Sequence, residues 1–135
     1  KPAGPLDPAI ERQIWCNHQW SDWHPLDQLP TRVIGSRSGL YRIRGNGLSR
    51  LVYIGQGGVV SRLTSHLDSA KVGATAKGRS FAACGALEAS WILDDQWSKN
   101  QREELENDLL AAHYLGTGEA PVAQFGGRDS IEEQR

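Results

Sequence analysis

The chain has no methionine in its 135 residues and only two cysteines. Cys16 and Cys84 are too few and too far apart for the disulfide lattice that holds small secreted domains together. No Cys-x-x-Cys pair occurs, so the usual signature of a structural zinc site is missing. Both thiols are expected to be buried or incidental, and a reducing, cytoplasmic setting fits them. No apolar run approaches the roughly 20 residues that a membrane helix needs. The N-terminus is polar and proline-rich, so no secretory signal is expected there. The missing methionine, initiator included, leads us to expect a trimmed chain or one cut from something larger. Internal repeats and low-complexity tracts are absent too. With 39% hydrophobic and 23% charged residues, one domain with a real core is expected.

The net charge of −1 argues against a uniformly basic surface, yet the charge is unevenly spread. Residues 31–80 hold Arg32, Arg37, Arg42, Arg44, Arg50, Arg62, Lys71, Lys77 and Arg79 against the single acid Asp68, a balance of +8. The other 85 residues carry six bases and fifteen acids, or −9. One basic face with an acidic counterweight is the expectation. A solvated surface with chance clustering is the plainer alternative.

The order of elements reads as helix, hairpin, helix, strand, helix. Residues 1–6 look like a loose arm. Asp7-Pro8 reads as an N-cap followed by proline at the first helical position, which predicts a helix over 8–19. Trp15, Trp20 and Trp23 follow, with His18 and His24 among them. Core packing is the first expectation for these rings, and base stacking the alternative. Pro25 and Pro30 bound an irregular stretch. Two β-like runs then flank Gly45-Asn46-Gly47, a hairpin signal. With a loop at 45–49, Ile43 falls opposite Leu51 and Tyr41 opposite Tyr53, all four on one sheet face. A β-bulge would shift that register.

Gly55-Gln56-Gly57-Gly58 reads as a glycine-rich exit from the second strand. A helix over 59–69 follows, with Val60, Leu63 and Leu67 as its buried stripe and Arg62 and His66 on one adjacent face. Residues 70–85 read as a flexible basic loop, 86–93 as a third strand and 99–114 as a helix. Leu105, Leu109 and Ala112 mark that helix's core stripe, and Glu106, Leu110 and His113 an adjoining face. Turns and an acidic tail follow. The fold class is thus α/β (α+β), a sheet of about three strands, mixed or antiparallel, flanked by helices. Residues 1–36 form an N-terminal arm and helix packed on a core of 37–126, and 127–135 a tail.

Gly39-Leu40-Tyr41, and Tyr53-Ile54-Gly55 after a short loop, resemble the motif pair of the GIY-YIG nucleases. Arg62 and His66 follow at fitting distances, and Leu105-Glu106-Asn107-Asp108-Leu109-Leu110 resembles the family's glutamate helix. The likeness spans about 37–125. It implies a metal-dependent DNA endonuclease that leaves 5′-phosphate and 3′-hydroxyl ends. It also implies one Mg²⁺ or Mn²⁺ ion held by Glu106; Glu103, three residues earlier on the same helix face, is the substitute candidate. A single carboxylate can suffice for such an ion, because Mg²⁺ usually keeps several waters.

Arg62, forked and permanently charged, suits a phosphate gathering negative charge. The likeness implies that one of Tyr41 and Tyr53 activates or positions the water while the other contacts phosphate or metal-bound water. Tyr41 is favoured for the proton, with His66 the other candidate because an unperturbed imidazole titrates near pH 6.5. Where the family has an asparagine, this chain offers Gln124, a site-supporting hydrogen-bonder on a longer arm. The segment holding Arg42, Arg44, Arg50, Lys71, Lys77 and Arg79 is expected to hold the DNA backbone. His113 shares a face with Glu106, but two helical turns, ~10 Å, separate them. Two rival classes stand beside this reading. One is a catalytically weak nucleic-acid-binding module of the same fold, and the other a partner-binding domain using its tryptophans. Restriction, repair, mobile-element and toxin contexts stay open, as do strandedness and a homodimer.

Overall fold

The computed structural model describes residues 8–125. The loose arm at 1–6, the Asp7 cap and the acidic tail lie outside them. Among the described residues the elements run α1 (Pro8–Glu11), β1 (Ile14–Trp15), β2 (His18–Gln19), β3 (His24–Pro25), α2 (Thr31–Ile34), β4 (Ser38–Arg44), β5 (Tyr53–Gly58), α3 (Val59–Val72), α4 (Ala76–Ala82), β6 (Glu88–Leu93) and α5 (Lys99–Thr117). The class is mixed α+β. The main sheet has the order β3-β6-β4-β5 with every pairing antiparallel, and β1 and β2 form a separate small hairpin. No helix among the described residues is long and apolar enough to cross a membrane.

β4 is central and covered on both faces, so its side chains split between two cores. Tyr41 and Ile43 face the layer of α3 and α4, with Val59, Leu63 and Phe81. Leu40 faces the other layer, where Ile54, Leu109, Ile10, Trp15 and Trp20 meet. This alternation is the period-2 consequence of an extended strand.

The helix expected over 8–19 stops at Glu11, and the chain turns back as β1–β2. Cys16 (φ 54°) and Asn17 (φ 63°) make the reversal in the left-handed region, as a tight two-residue turn needs. The tryptophan layer then inserts into the second core, and β3 pairs with β6 at the sheet edge. A boundary at 36/37 is therefore crossed by strand pairing and by core packing alike. The sheet has four strands rather than three because of β3.

The hairpin register also differs from the expectation. Ile43 pairs with Tyr53 and Tyr41 with Gly55, two residues away from the predicted pairing. Val52 N–H also bonds to Ile43 O at 2.8 Å, so two residues oppose one, as in a β-bulge. Leu51 consequently joins the second core, away from Tyr41 and Ile43. The glycine-rich segment at 55–58 belongs to β5 itself. α3 runs three residues past its expected end to Val72, and the expected loop at 70–85 contains α4. The last helix is capped at Ser98 by a reciprocal bond with Gln101 and stops at Gly118 (φ 80°).

Candidate active site

The two glycine-bearing motifs are adjacent strands, and their glycines are steric requirements. A Cβ at Gly39 would strike the Ile92 carbonyl on β6, and one at Gly55 would strike the Tyr41 hydroxyl. The Tyr41 ring therefore lies across Gly55, which is its cross-strand partner. Tyr53 sits diagonally from Tyr41, and the two rings stack at 6.1 Å with an interplanar angle of 18°.

α3 begins directly after β5 and carries Arg62 and His66 over these phenols. Tyr41 Oη lies 2.7 Å from His66 Nε2. The imidazole is 4.5 Å from the Tyr53 ring and 5.0 Å from Phe81 of α4. Arg62 is exposed and crosses Gly57, whose absent side chain leaves it room. Burial pulls His66 down to about 4, and the Lys77 and Arg62 cations push the same way. Burial also drives the Tyr41 phenol far above its ordinary value, aided by Tyr53 and Glu106 and opposed by Arg62. Near neutral pH both groups are uncharged, and the Tyr41 hydroxyl and His66 Nε2 share one hydrogen bond.

Glu106 is half-buried on α5, which packs against β5 and β4. Its charge is felt at Tyr41, and the charges of Arg62 and Lys77 are felt at Glu106. Burial raises its proton affinity, Glu103 adds to the rise, and the two cations oppose it. A half-buried carboxylate beside a second one favours a bound cation, so the donor set fits a hard ion of the Mg²⁺ type. Among the described residues no three His, Cys, Asp or Glu side chains cluster. An ion that keeps most of its waters needs no such cluster, and Glu106 is the residue here that would hold one.

Gln124 supports the centre through the backbone. Its Oε1 accepts from Ile54 N–H and its Nε2 donates to Ile54 O, both at 2.8 Å. The side-chain amide thus acts as an extra strand beside β5, between Tyr53 and Gly55. Val122 and Ala123 continue that pairing onto Leu51 and Val52 carbonyls. His113 has the same kind of role: its Nε2 accepts from Leu51 N–H at 3.0 Å and its Nδ1 faces Glu119 O at 2.8 Å. Both ring nitrogens are committed to the backbone, which explains this histidine without a metal.

The expected substrate-holding residues divide sharply. Arg42 is fully buried; it donates to the carbonyls of Ile10 (2.6 Å), Glu11 (3.3 Å) and Arg12 (2.8 Å), so it is not a DNA contact. Arg44 is engaged with Glu11 and Glu88, and Arg50 with Glu119 and the Ala120 carbonyl. Arg79 donates to the Gly73 and Ala74 carbonyls, and Lys71 is exposed. The linear excess of +8 therefore does not become one free basic face. Lys77 is the surprise, with Nζ 3.0 Å from Tyr53 Oη and 4.4 Å from its ring centroid. Sequence reasoning placed this lysine in a loop; the Thr75 cap and the helical run to Phe81 were the available signals.

The buried imidazole makes stability depend on pH. The unfolded chain protonates His66 near its ordinary value of about 6.5, the folded protein only near 4. Its contribution is whole above the unfolded value and is lost as pH falls through the window between the two. Urea unfolding at pH 7 and 4.5 should show the native protein losing about 2 kcal/mol more than a His66→Gln variant. Equal losses would contradict a buried neutral imidazole.

The chain matches no family model, and neither a curated protein nor a solved structure matches it.

Proposed function

We propose that this protein is a metal-dependent DNA endonuclease of the GIY-YIG type. The observation that carries the reading is the convergence of Tyr41, Tyr53, Arg62, His66 and Glu106, drawn from four elements, around one patch of sheet edge. Few reactions call for two phenols, a guanidinium, a neutral imidazole and a lone carboxylate together. Hydrolysis of a phosphodiester does: it needs a base for water, a cation for the phosphoryl oxygens and help for the leaving alkoxide.

In this reading Tyr41 and His66 act as one relay. As water attacks phosphorus, its proton passes to Tyr41 Oη while the phenol's own proton passes to His66 Nε2. Tyr41 ends neutral and His66 ends as imidazolium. Burial is the main reason His66 is a weak base in the free protein, and Lys77 and Arg62 add to it. A phosphate between those cations offsets their charge and raises the imidazole's basicity. Arg62 holds the phosphoryl oxygens, and Glu106 holds the metal. A divalent ion held there by Glu106 would supply Lewis acidity to the phosphate and to the 3′-oxygen leaving group.

The test is incubation with end-labelled duplex and single-stranded DNA, with and without Mg²⁺. Mg²⁺-dependent internal cleavage yielding 5′-phosphate and 3′-hydroxyl ends is expected. Salt-dependent binding with no cleavage under any divalent metal would leave only a nucleic-acid-binding module.

A further inference from the structure

We propose that Lys77 is a second catalytic cation, delivered by α4 to contact the scissile phosphate opposite Arg62; this rests on the nuclease reading above. The basic segment as a whole suggests only a backbone-holding role for this residue. Its placement says more. Lys77 Nζ is 3.0 Å from Tyr53 Oη and 4.4 Å from the ring centroid, directly against one of the two phenols. Its charge acts on both His66 and Glu106, as that of Arg62 does. Among the described residues, Arg62 of α3 and Lys77 of α4 are the two cations that act on both groups.

α4 is built to hold this position. Thr75 caps it by accepting from Gly78 N–H at 2.9 Å. A Cβ at Gly78 would strike the Ser69 carbonyl, so glycine permits the close approach of α4 to α3. Phe81 anchors the far end against the rings of Tyr53 (5.7 Å) and His66 (5.0 Å). Lys77 lies one turn before Phe81, on the same side of the helix. An ammonium has three N–H donors, and Tyr53 uses one. The remaining donors of this half-buried group are suited to phosphoryl oxygens, where Lys77 would share the growing negative charge with Arg62.

Single-turnover cleavage of labelled duplex under Mg²⁺ tests this, with duplex affinity measured separately in chelator. Lys77→Met should lower the rate by about a hundredfold, the scale of removing one transition-state donor. Its Kd should rise by less than about threefold, because the contact strengthens as charge develops. Lys77→Arg should recover at least about a tenth of the native rate. Should Lys77→Met melt below the assay temperature, Lys77→Gln carries the same expectation. A variant rate within about threefold of native, or a Kd rising in step with the rate loss, would overturn the proposal. If the native protein cleaves and Lys77→Met cleaves as fast, the lysine assignment alone falls. If the native protein does not cleave, the nuclease reading falls and takes this proposal with it.

Discussion

Glu106→Ala should lower single-turnover DNA cleavage by at least about a thousandfold, a barrier increase of ~4 kcal/mol. The size follows from the donor set. Among the described residues Glu106 is the carboxylate whose charge acts on Tyr41, and no group of three His, Cys, Asp or Glu side chains is present to hold an ion without it. Glu103 lies one turn earlier and is exposed, so it offers at best a displaced ligand. DNA affinity in chelator should change little or tighten, because the substitution removes a negative charge from the phosphate's neighbourhood. The melting temperature should hold or rise, since burial and Glu103 both disfavour the Glu106 carboxylate in the native state. A variant retaining more than about a tenth of the native rate would remove Glu106 from the chemistry.

The second large effect concerns the fold. Arg42→Ala should destabilise the protein by about 3–5 kcal/mol, a large share of the stability of a domain this size. The Arg42 guanidinium lies 4.5 Å from the Trp20 ring and 4.6 Å from the Trp23 ring, and it bonds three carbonyls where α1 ends. Those carbonyls are the unsatisfied acceptors that every helix leaves at its C-terminal end. Truncation would strand them beside a cavity walled by indoles. Arg42 is charged at neutral pH even though burial first, and Arg44 next, pull it down to about 9. Its Nε is the one buried side-chain polar atom without a partner among the described residues, so the site is a compromise. Arg42→Lys should recover only part of the loss, since an ammonium cannot span three carbonyls in one plane. Urea unfolding followed by tryptophan fluorescence measures both variants. A cost below about 1 kcal/mol for Arg42→Ala would show that the N-terminal layer is held by other means.

The sequence made the candidate site residues easier to see than their surroundings, for physical reasons. Gly39, Gly55 and Gly57 mark places where another group crosses the backbone, and such close approaches leave glycine no substitute. Tyr41 and Tyr53 kept a common face despite a wrong register, because the error was two residues and side chains alternate with a period of two. Leu51 did not survive it, since the bulge at Val52 breaks the alternation. α4 was hidden by its Ala, Gly, Lys and Ser content, which reads as loop until Thr75 is seen as a cap and Gly78 as a packing contact. The β1–β2 turn was hidden because Cys16 occupies a left-handed conformation normally filled by Gly, Asn or Asp.

Charge was the least legible property. Counting Arg42, Arg44 and Arg50 toward a basic face ignored that guanidinium groups are the cations best suited to internal pairing and stacking. Arg44 shows this directly, lying 4.3 Å from the Trp23 ring between two glutamates. Lys77, expected only among the residues holding the DNA backbone, lies against Tyr53. Linear charge density bounds what a surface can carry; only the fold decides which charges remain on it.

The most direct test removes a single oxygen atom. Tyr41→Phe keeps the ring over Gly55 and deletes only the hydroxyl that sits 2.7 Å from His66 Nε2. Single-turnover cleavage of duplex DNA under Mg²⁺ should fall by about a hundredfold or more, with duplex affinity close to native and the melting temperature lowered only as far as losing one buried hydrogen bond requires. Cleavage within about threefold of native would show that the Tyr41–His66 pair is packing rather than chemistry, and the account of this site would fail.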